Sequence, residues 1–446
     1  MFRAVHSFLY ANPDRKCLLT ADYTTEMQAK NDIFLLIGPP GSGKTSVTLK
    51  GMVETEIAKK RTNILLLSYT NRAIDEICKA LIDISPHLPF IRIGNELNCA
   101  PEYRNRLLEN QLEHCAKRSE VAEVIRNCRI FVGTVASVWN KPELFLMKHF
   151  DLAIIDEATQ LLEAHLVGVF CAKNSSGQNT IDRFVLIGDH KQLPAVVLQS
   201  KEESQVVEPE LNAIGMMNLS NSLFERLYCH FQLLGKTDAF DMLCRQGRMH
   251  PEIAEFPSKY FYNSRLKSIG LSHQIEEWTD KKRLHFYSIQ AEKNELSAKS
   301  NINEANKVVE ICRSIYEEQH AKNEIFDAQS IGIITPFRNQ IALISRQLQS
   351  SGVVELTDIT VDTVERFQGS QRDTIIYSFC IKTEFQLAAL PQWMEENGRL
   401  IDRKLNVALT RAKKQLYLIG NEALLIQNPL YKQLIEHINR KNVIKM

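Results

Sequence analysis

The 446 residues carry 54 basic and 53 acidic side chains, so a chain long enough for two or three fully cored domains has almost no net charge. That balance excludes a polybasic surface as the means of holding nucleic acid and leaves a local groove as the alternative. Ten cysteines without a single C-x2-C pair exclude zinc-ribbon and iron–sulfur spacing, and no apolar run approaches the roughly 20 residues of a membrane span, so reduced thiols in the cytoplasm and no membrane partner are expected.

The first apolar run is Ile33-Phe34-Leu35-Leu36-Ile37, too short for a helix and bounded as a buried strand is. Gly38-Pro39-Pro40-Gly41-Ser42-Gly43-Lys44-Thr45 follows it, and Ser46 to Lys60 reads as a helix. A glycine-rich loop between a strand end and a helix start is where a phosphate-binding loop belongs. Glycine lets backbone N–H groups converge on an anion, and the helix N-terminus adds partial positive charge. Lys44 brings a full charge for the β- and γ-phosphates, and the Thr45 hydroxyl is a hard ligand suited to Mg²⁺. The residues from Gly38 to Ser46 are therefore expected to bind a nucleoside triphosphate, ATP or another NTP.

Further continuous apolar runs are Ile64–Ser68, Ile130–Thr134, Leu152–Asp156 and Phe184–Gly188. Runs without polar alternation indicate parallel strands buried on both faces. The stretch Ser85 to Asn127 is polar and helical in character and is expected to be an insertion; its Arg104, Arg106, Lys117 and Arg118 are read as a solvated face before they are read as a nucleic-acid contact. Leu152-Ala153-Ile154-Ile155-Asp156-Glu157-Ala158-Thr159-Gln160 ends a buried strand in two carboxylates. Beside a phosphate loop, Asp156 can hold the Mg²⁺ shell and Glu157 can orient or deprotonate the attacking water. Phe184-Val185-Leu186-Ile187-Gly188-Asp189-His190-Lys191-Gln192-Leu193-Pro194 brings Gln192, a candidate γ-phosphate sensor, to the same sheet edge.

A second α/β series starts later, with strands expected at Leu284–Ile289, Ile331–Thr335, Ile359–Val361, Thr374–Tyr377 and Leu416–Gly420, and helices at Asn303–Gln319 and Gln340–Gln349. Two α/β domains in tandem follow, residues 1–235 and 236–446, joined near Leu233–Thr237, where Gly235 and polar residues interrupt the pattern.

GPPGSGKT, IIDEATQ and LIGDHKQLPA together resemble motifs I, II and III of superfamily 1 helicases, in the branch of the nonsense-mediated-decay RNA helicase and its DNA-processing relatives. The other motifs follow in order. Leu67–Asn71 resembles motif Ia, Val132–Thr134 motif Ib, Arg248-Met249-His250-Pro251 the QYRMHP element, and Ile334–Phe337 the motif after it. Val361–Gly369 resembles motif V and Leu405–Ala412 motif VI. The resemblance runs from about residue 31 to 420. It implies two RecA-like domains with parallel sheets, the P-loop NTPase fold, and ATP in the cleft between them. Lys44, Thr45, Asp156, Glu157 and Gln192 would come from the first domain and the arginine fingers Arg248 and Arg411 from the second, with Gly369 also at the nucleotide. It implies backbone contacts to single-stranded DNA or RNA from Thr70, Asn71, Thr134, Pro194, Pro336 and Thr363, and 5′-to-3′ movement. An arginine that meets the γ-phosphate only on closure would tie hydrolysis to motion.

The sequence departs from the family pattern at the nucleoside. Gly247 stands where an aromatic residue precedes the arginine and offers no π face. Gln371 stands where motif V has a glutamate near the ribose. Gln28 is the only candidate for the adenine-reading glutamine, in poorly fitting surroundings. Weak base selectivity is therefore expected. Only about thirty residues precede the phosphate loop, too few for the β-barrel of the relatives, so either the motor portion of a longer protein or a minimal motor with a partner supplying specificity is expected. A nucleotide-driven switch that binds nucleic acid or protein without unwinding would keep every one of these motifs and is the alternative to a helicase or translocase. A small-molecule kinase would need only one such sheet.

Overall fold

The computed structural model describes residues 32–59, 61–200, 202–278, 281–292, 297–396 and 398–444. They form two compact units. The first comprises residues 32–39, 43–190 and 194–243, and the second residues 40–42, 191–193 and 244 onward.

The first unit is built on a seven-stranded sheet: β1 (Ile33–Ile37), β2 (Ile64–Ser68), β3 (Ile91–Ile93), β4 (Ile130–Thr134), β5 (Phe150–Ile155), β6 (Ile181–Gly188) and β7 (Phe240–Met242). Their order is β3-β4-β2-β5-β6-β1-β7 and every pairing is parallel. Strands β2 and β4 are buried along their whole length, which is why they read as unbroken apolar runs. The helix Asn71–Ile84 covers one face with Ala73, Ile74, Ile77, Cys78, Ala80 and Leu81, a spacing that places them on one helical stripe. The Thr70 hydroxyl starts it by accepting from the Ala73 N–H at 3.1 Å, the N-cap bond that satisfies an otherwise orphaned donor.

Residues 85–127 differ from the helical insertion expected. They supply β3, an edge strand of the main sheet, before the short helices Leu108–Gln111 and Arg118–Asn127. Arg92, in the middle of β3, explains why the strand was hidden: a charge interrupts a three-residue run. Its guanidinium is buried, paired with Asp75 on the covering helix and donating to the Asn98 carbonyl at 3.1 Å. Arg104 pairs with Glu96 at 3.0 Å and Arg106 lies over the Phe90 ring at 4.9 Å, so both are engaged within this segment.

The joint expected near Leu233–Thr237 also moves. Gly235 takes the left-handed conformation, φ 66°, just past the helix Leu223–Leu233, the position where glycine closes a helix. The chain then returns to the first sheet as β7, with Leu35 opposite Phe240. The units divide after Leu243.

The second unit carries the short parallel pair β8 (Arg245–Gln246) and β9 (Lys267–Ser268) beside a five-stranded parallel sheet. That sheet holds β10 (Leu284–Ser288), β11 (Ile331–Ile334), β12 (Thr360–Asp362), β13 (Arg372–Ser378) and β16 (Ala412–Gly420), in the order β10-β16-β13-β11-β12. An antiparallel hairpin, β14 (Trp393–Glu396) and β15 (Arg399–Asp402), is inserted before β16. The helices Ile302–Ala321 and Arg338–Gln349 pack their apolar stripes on this sheet through Val308, Ile311, Ile315, Ile344 and Leu348.

Candidate active site

The phosphate loop leaves β1 and enters a wide helical turn, Lys44–Leu49, in which the Thr48 N–H reaches back five residues to the Gly43 carbonyl at 3.0 Å. Such i→i+5 turns are rare and cluster at functional sites; the helix Lys50–Ala58 continues from it. The Lys44 side chain folds back over the start of the loop, and its ammonium donates to the Gly38 carbonyl at 2.5 Å. A Cβ on Gly38 would lie 2.1 Å from Lys44 Cγ. Glycine is therefore required there for the lysine to lie across the loop.

Strand β5 delivers the carboxylates. The Thr45 hydroxyl donates to Asp156 Oδ2 at 2.6 Å, and Asp156 Oδ1 accepts from the Glu157 N–H at 2.8 Å. Asp156 is buried. A hydroxyl and a carboxylate in contact at the end of a sheet strand are a hard-oxygen set that fits Mg²⁺.

Glu157 has the left-handed conformation, φ 53°, unusual for a side chain with a Cβ and typical of strained functional positions. Its Oε2 is buried with no hydrogen-bond partner. Burial, followed by the charges of Asp156 and Glu76, pushes its carboxyl up to about 7 against the opposing pull of Lys44 and Arg72. A carboxyl poised near neutrality with an unsatisfied oxygen is suited to taking a proton from water.

The expected nucleic-acid residues of the first unit share this C-terminal sheet edge. Thr70 and Asn71 follow β2, Thr134 ends β4, and Pro194 follows β6. The Thr70 and Thr134 hydroxyls both cap helices, Thr134 Oγ1 accepting from the Ser137 N–H at 3.1 Å. In the second unit Pro336 follows β11 and Thr363 follows β12, at the corresponding edge of the other sheet.

Within the second unit, residues 370–372 bring the two arginines together. Arg411 is buried and donates from Nη1 to the Ser370 carbonyl at 3.3 Å, from Nε to the Val407 carbonyl at 3.1 Å and from Nη2 to Gln192 Oε1 at 3.0 Å. Arg248 donates from Nε to Gln371 Oε1 at 2.9 Å and from Nη1 to the Thr410 carbonyl at 3.3 Å. Gly369 has φ 77° and opens the turn into this segment.

Some of these residues had no flag in the sequence. Asn406, buried inside the motif VI helix Arg403–Leu409, donates to the Lys191 carbonyl at 2.7 Å and to the Tyr262 hydroxyl at 2.8 Å. Lys191 is itself buried and paired with Glu396 at 2.5 Å. Asn406 lies within the stretch that resembles motif VI, whereas no sequence pattern singles out Glu396, on β14.

The nucleoside-side departures have structural correlates. A Cβ on Gly247 would sit 3.0 Å from Ile269 Cδ1 and 3.2 Å from Leu271 Cδ1, so these apolar ends occupy the space that an aromatic ring would start from. Gln371 faces Arg248. Gln28 lies outside the described residues.

A model of the AAA domain matches residues 19–121 and 103–200, and a second AAA-domain model matches residues 219–423. Among curated relatives, the DNA replication ATP-dependent helicase/nuclease DNA2 of Bos taurus is 30% identical over 96% of this chain and 38% of its own length. An uncharacterized ATP-dependent helicase of Methanocaldococcus jannaschii, MJ0104, is 26% identical over 91% of this chain and 67% of its own. Regulator of nonsense transcripts 1 of Dictyostelium discoideum is 28% identical over 92% and 31%. The chain thus spans well under half of the first and third of these relatives. Among solved structures, an arterivirus nonstructural protein 10 (helicase) in complex with DNA aligns at 11% identity with a TM-score of 0.45, over 91% of this chain and 65% of that one.

Proposed function

We propose that this chain, which matches AAA-domain models over residues 19–200 and 219–423 and whose motifs resemble those of superfamily 1 helicases, is an NTP-driven translocase or helicase acting on single-stranded DNA or RNA. The reading rests above all on one observation: Thr45, Asp156 and Glu157 meet at the end of β1 and β5, with the Glu157 carboxyl held near 7.

The chemistry follows from those residues. Lys44 exchanges its bond to the Gly38 carbonyl for oxygens of the β- and γ-phosphates, while loop N–H groups take the remaining charge. Thr45 and Asp156 would hold Mg²⁺, which supplies charge neutralisation to the phosphate oxygens when bound. Glu157 accepts the proton of the attacking water as its oxygen bonds to the γ-phosphorus and the bond to the β-phosphate oxygen breaks, releasing NDP and phosphate. Arg248 and Arg411, with Gln192, are proposed to face the charge that develops there. The strand-end residues Thr70, Asn71, Thr134, Pro194, Pro336 and Thr363 offer small hydroxyls, an amide and backbone groups, which grip phosphate and sugar without reading bases. We assign 5′-to-3′ polarity on the family resemblance.

The test is steady-state hydrolysis of ATP with and without single-stranded DNA or RNA, using Lys44→Ala as the blank. Stimulation by one polymer that is lost in the variant supports the reading and names the polymer. Hydrolysis indifferent to both polymers favours a nucleotide-driven switch with a protein partner.

A further inference from the structure

We propose that Gln371 is a positioning residue for the reaction, acting through Arg248; this rests on the NTPase reading above. Gln371 precedes β13 and is fixed on both sides by backbone bonds. The Arg372 N–H donates to the Arg411 carbonyl at 3.0 Å, and the Ser370 carbonyl accepts from Arg411 Nη1 at 3.3 Å. The Gln371 carbonyl accepts from Arg372 Nη1 at 2.8 Å. Its amide oxygen then accepts from Arg248 Nε at 2.9 Å. One three-residue segment thus orients both arginines, Arg411 through a main-chain carbonyl and Arg248 through a side chain.

The chemistry of the partner matters as much as its place. The bonds from Nε to Gln371 and from Nη1 to the Thr410 carbonyl fix the plane of the guanidinium. The Nη edge is the one that forks onto phosphate oxygens, and Nη1 would exchange its carbonyl for them when nucleotide binds while Nε keeps its bond to Gln371. The amide oxygen of glutamine does this without charge. A carboxylate at the same atom would hold Nε just as firmly and offset the guanidinium's positive charge with its own. Glutamine therefore keeps Arg248 oriented and fully charged. The side chain is a phosphate-side device, not a reader of ribose.

The experiment measures kcat and KM for ATP and for 2′-deoxy-ATP, with saturating single-stranded DNA and RNA present, in the wild type, Gln371→Ala, Gln371→Glu, Arg248→Ala and the Gln371→Ala/Arg248→Ala double variant. Thermal unfolding is recorded for each, and the near-isosteric Gln371→Glu guards against a loss that only reflects folding. Gln371→Ala is expected to lower kcat about ten- to a hundredfold, the cost of misplacing a reacting group by an ångström or less. Gln371→Glu is expected to lower kcat as well. KM for ATP stays within about threefold, the signature of an interaction made only in the transition state. The ratio of ATP to 2′-deoxy-ATP efficiency does not change, and Gln371→Ala adds less than about twofold once Arg248 is alanine, as residues acting as a unit do. Losses that multiply in the double variant, or a KM increase confined to ATP and absent with 2′-deoxy-ATP, would overturn the positioning role alone. A wild type that hydrolyses neither nucleotide overturns the NTPase reading and this proposal with it.

Discussion

Replacing Glu157 by glutamine removes a charge that the folded protein holds at a cost, and the size of that cost can be worked out. The Glu157 carboxyl is raised from 4.5 to about 7, by burial first and Asp156 second. A group whose folded-state value lies above its unfolded one binds its proton more tightly when folded. Stability is therefore fully present below about 4.5 and is lost as pH rises through about 7. Above that point the loss amounts to about 3 kcal/mol, and at pH 5 it is under about 1 kcal/mol. A glutamine side chain at this position has the same shape and no charge to desolvate. Without nucleotide or Mg²⁺, Glu157→Gln should stabilise the first unit by about 3 kcal/mol at pH 8 and by less than half of that at pH 5. For a unit of this size that is a rise in Tm of roughly 5–10 °C at pH 8. Calorimetry of wild type and variant at both pH values reads it, because other titrating groups cancel in the difference. The same variant should lose hydrolysis by at least about 10²-fold, the contribution of a general base. An equal shift at both pH values, or a lower Tm at pH 8, would refute the claim that burial raises this carboxyl.

Three further outcomes are expected. In the wild type, kcat/KM for ATP should rise with pH through about 7, since Glu157 must lose its proton to act, and a pH-rate profile between 5.5 and 9 that stays flat speaks against its role as base. Asp75→Ala leaves the buried Arg92 guanidinium without its carboxylate and should destabilise the first unit by about 3 kcal/mol, read in urea unfolding. Efficiencies on ATP, GTP, CTP and UTP should agree within about tenfold, because Ile269 and Leu271 stand where an aromatic base platform would start; a strong preference for ATP would count against weak base selectivity.

Local chemistry carried far in this chain. The strand–loop–helix signature of Ile33 to Thr45 and the carboxylates after Ile155 are written in consecutive residues, because phosphate binding needs a loop, a helix start and a strand end in direct succession. The buried parallel strands were equally legible, since strands covered on both faces must be apolar throughout. The strand β3 was not, because its buried Arg92 is offset by an aspartate seventeen residues earlier. Nor was β7, three residues long and placed by pairing with β1 more than two hundred residues away.

The sequence by itself determined where a phosphate loop lies, with Lys44 and Thr45 at its end, and that Asp156 and Glu157 stand at a strand end. It also marked Arg248 and Arg411 by their motifs. Only the tertiary structure decided the state of those groups. Burial first, and then the charges of Asp156 and Glu76, push the Glu157 carboxyl up to about 7, and burial depends on what the rest of the chain packs against it. The partner of Arg248 is Gln371, 123 residues away, and no local pattern encodes which side chain meets which across such a separation. Composition and spacing place functional groups along the chain; their charge state and orientation come from the surroundings that folding assembles.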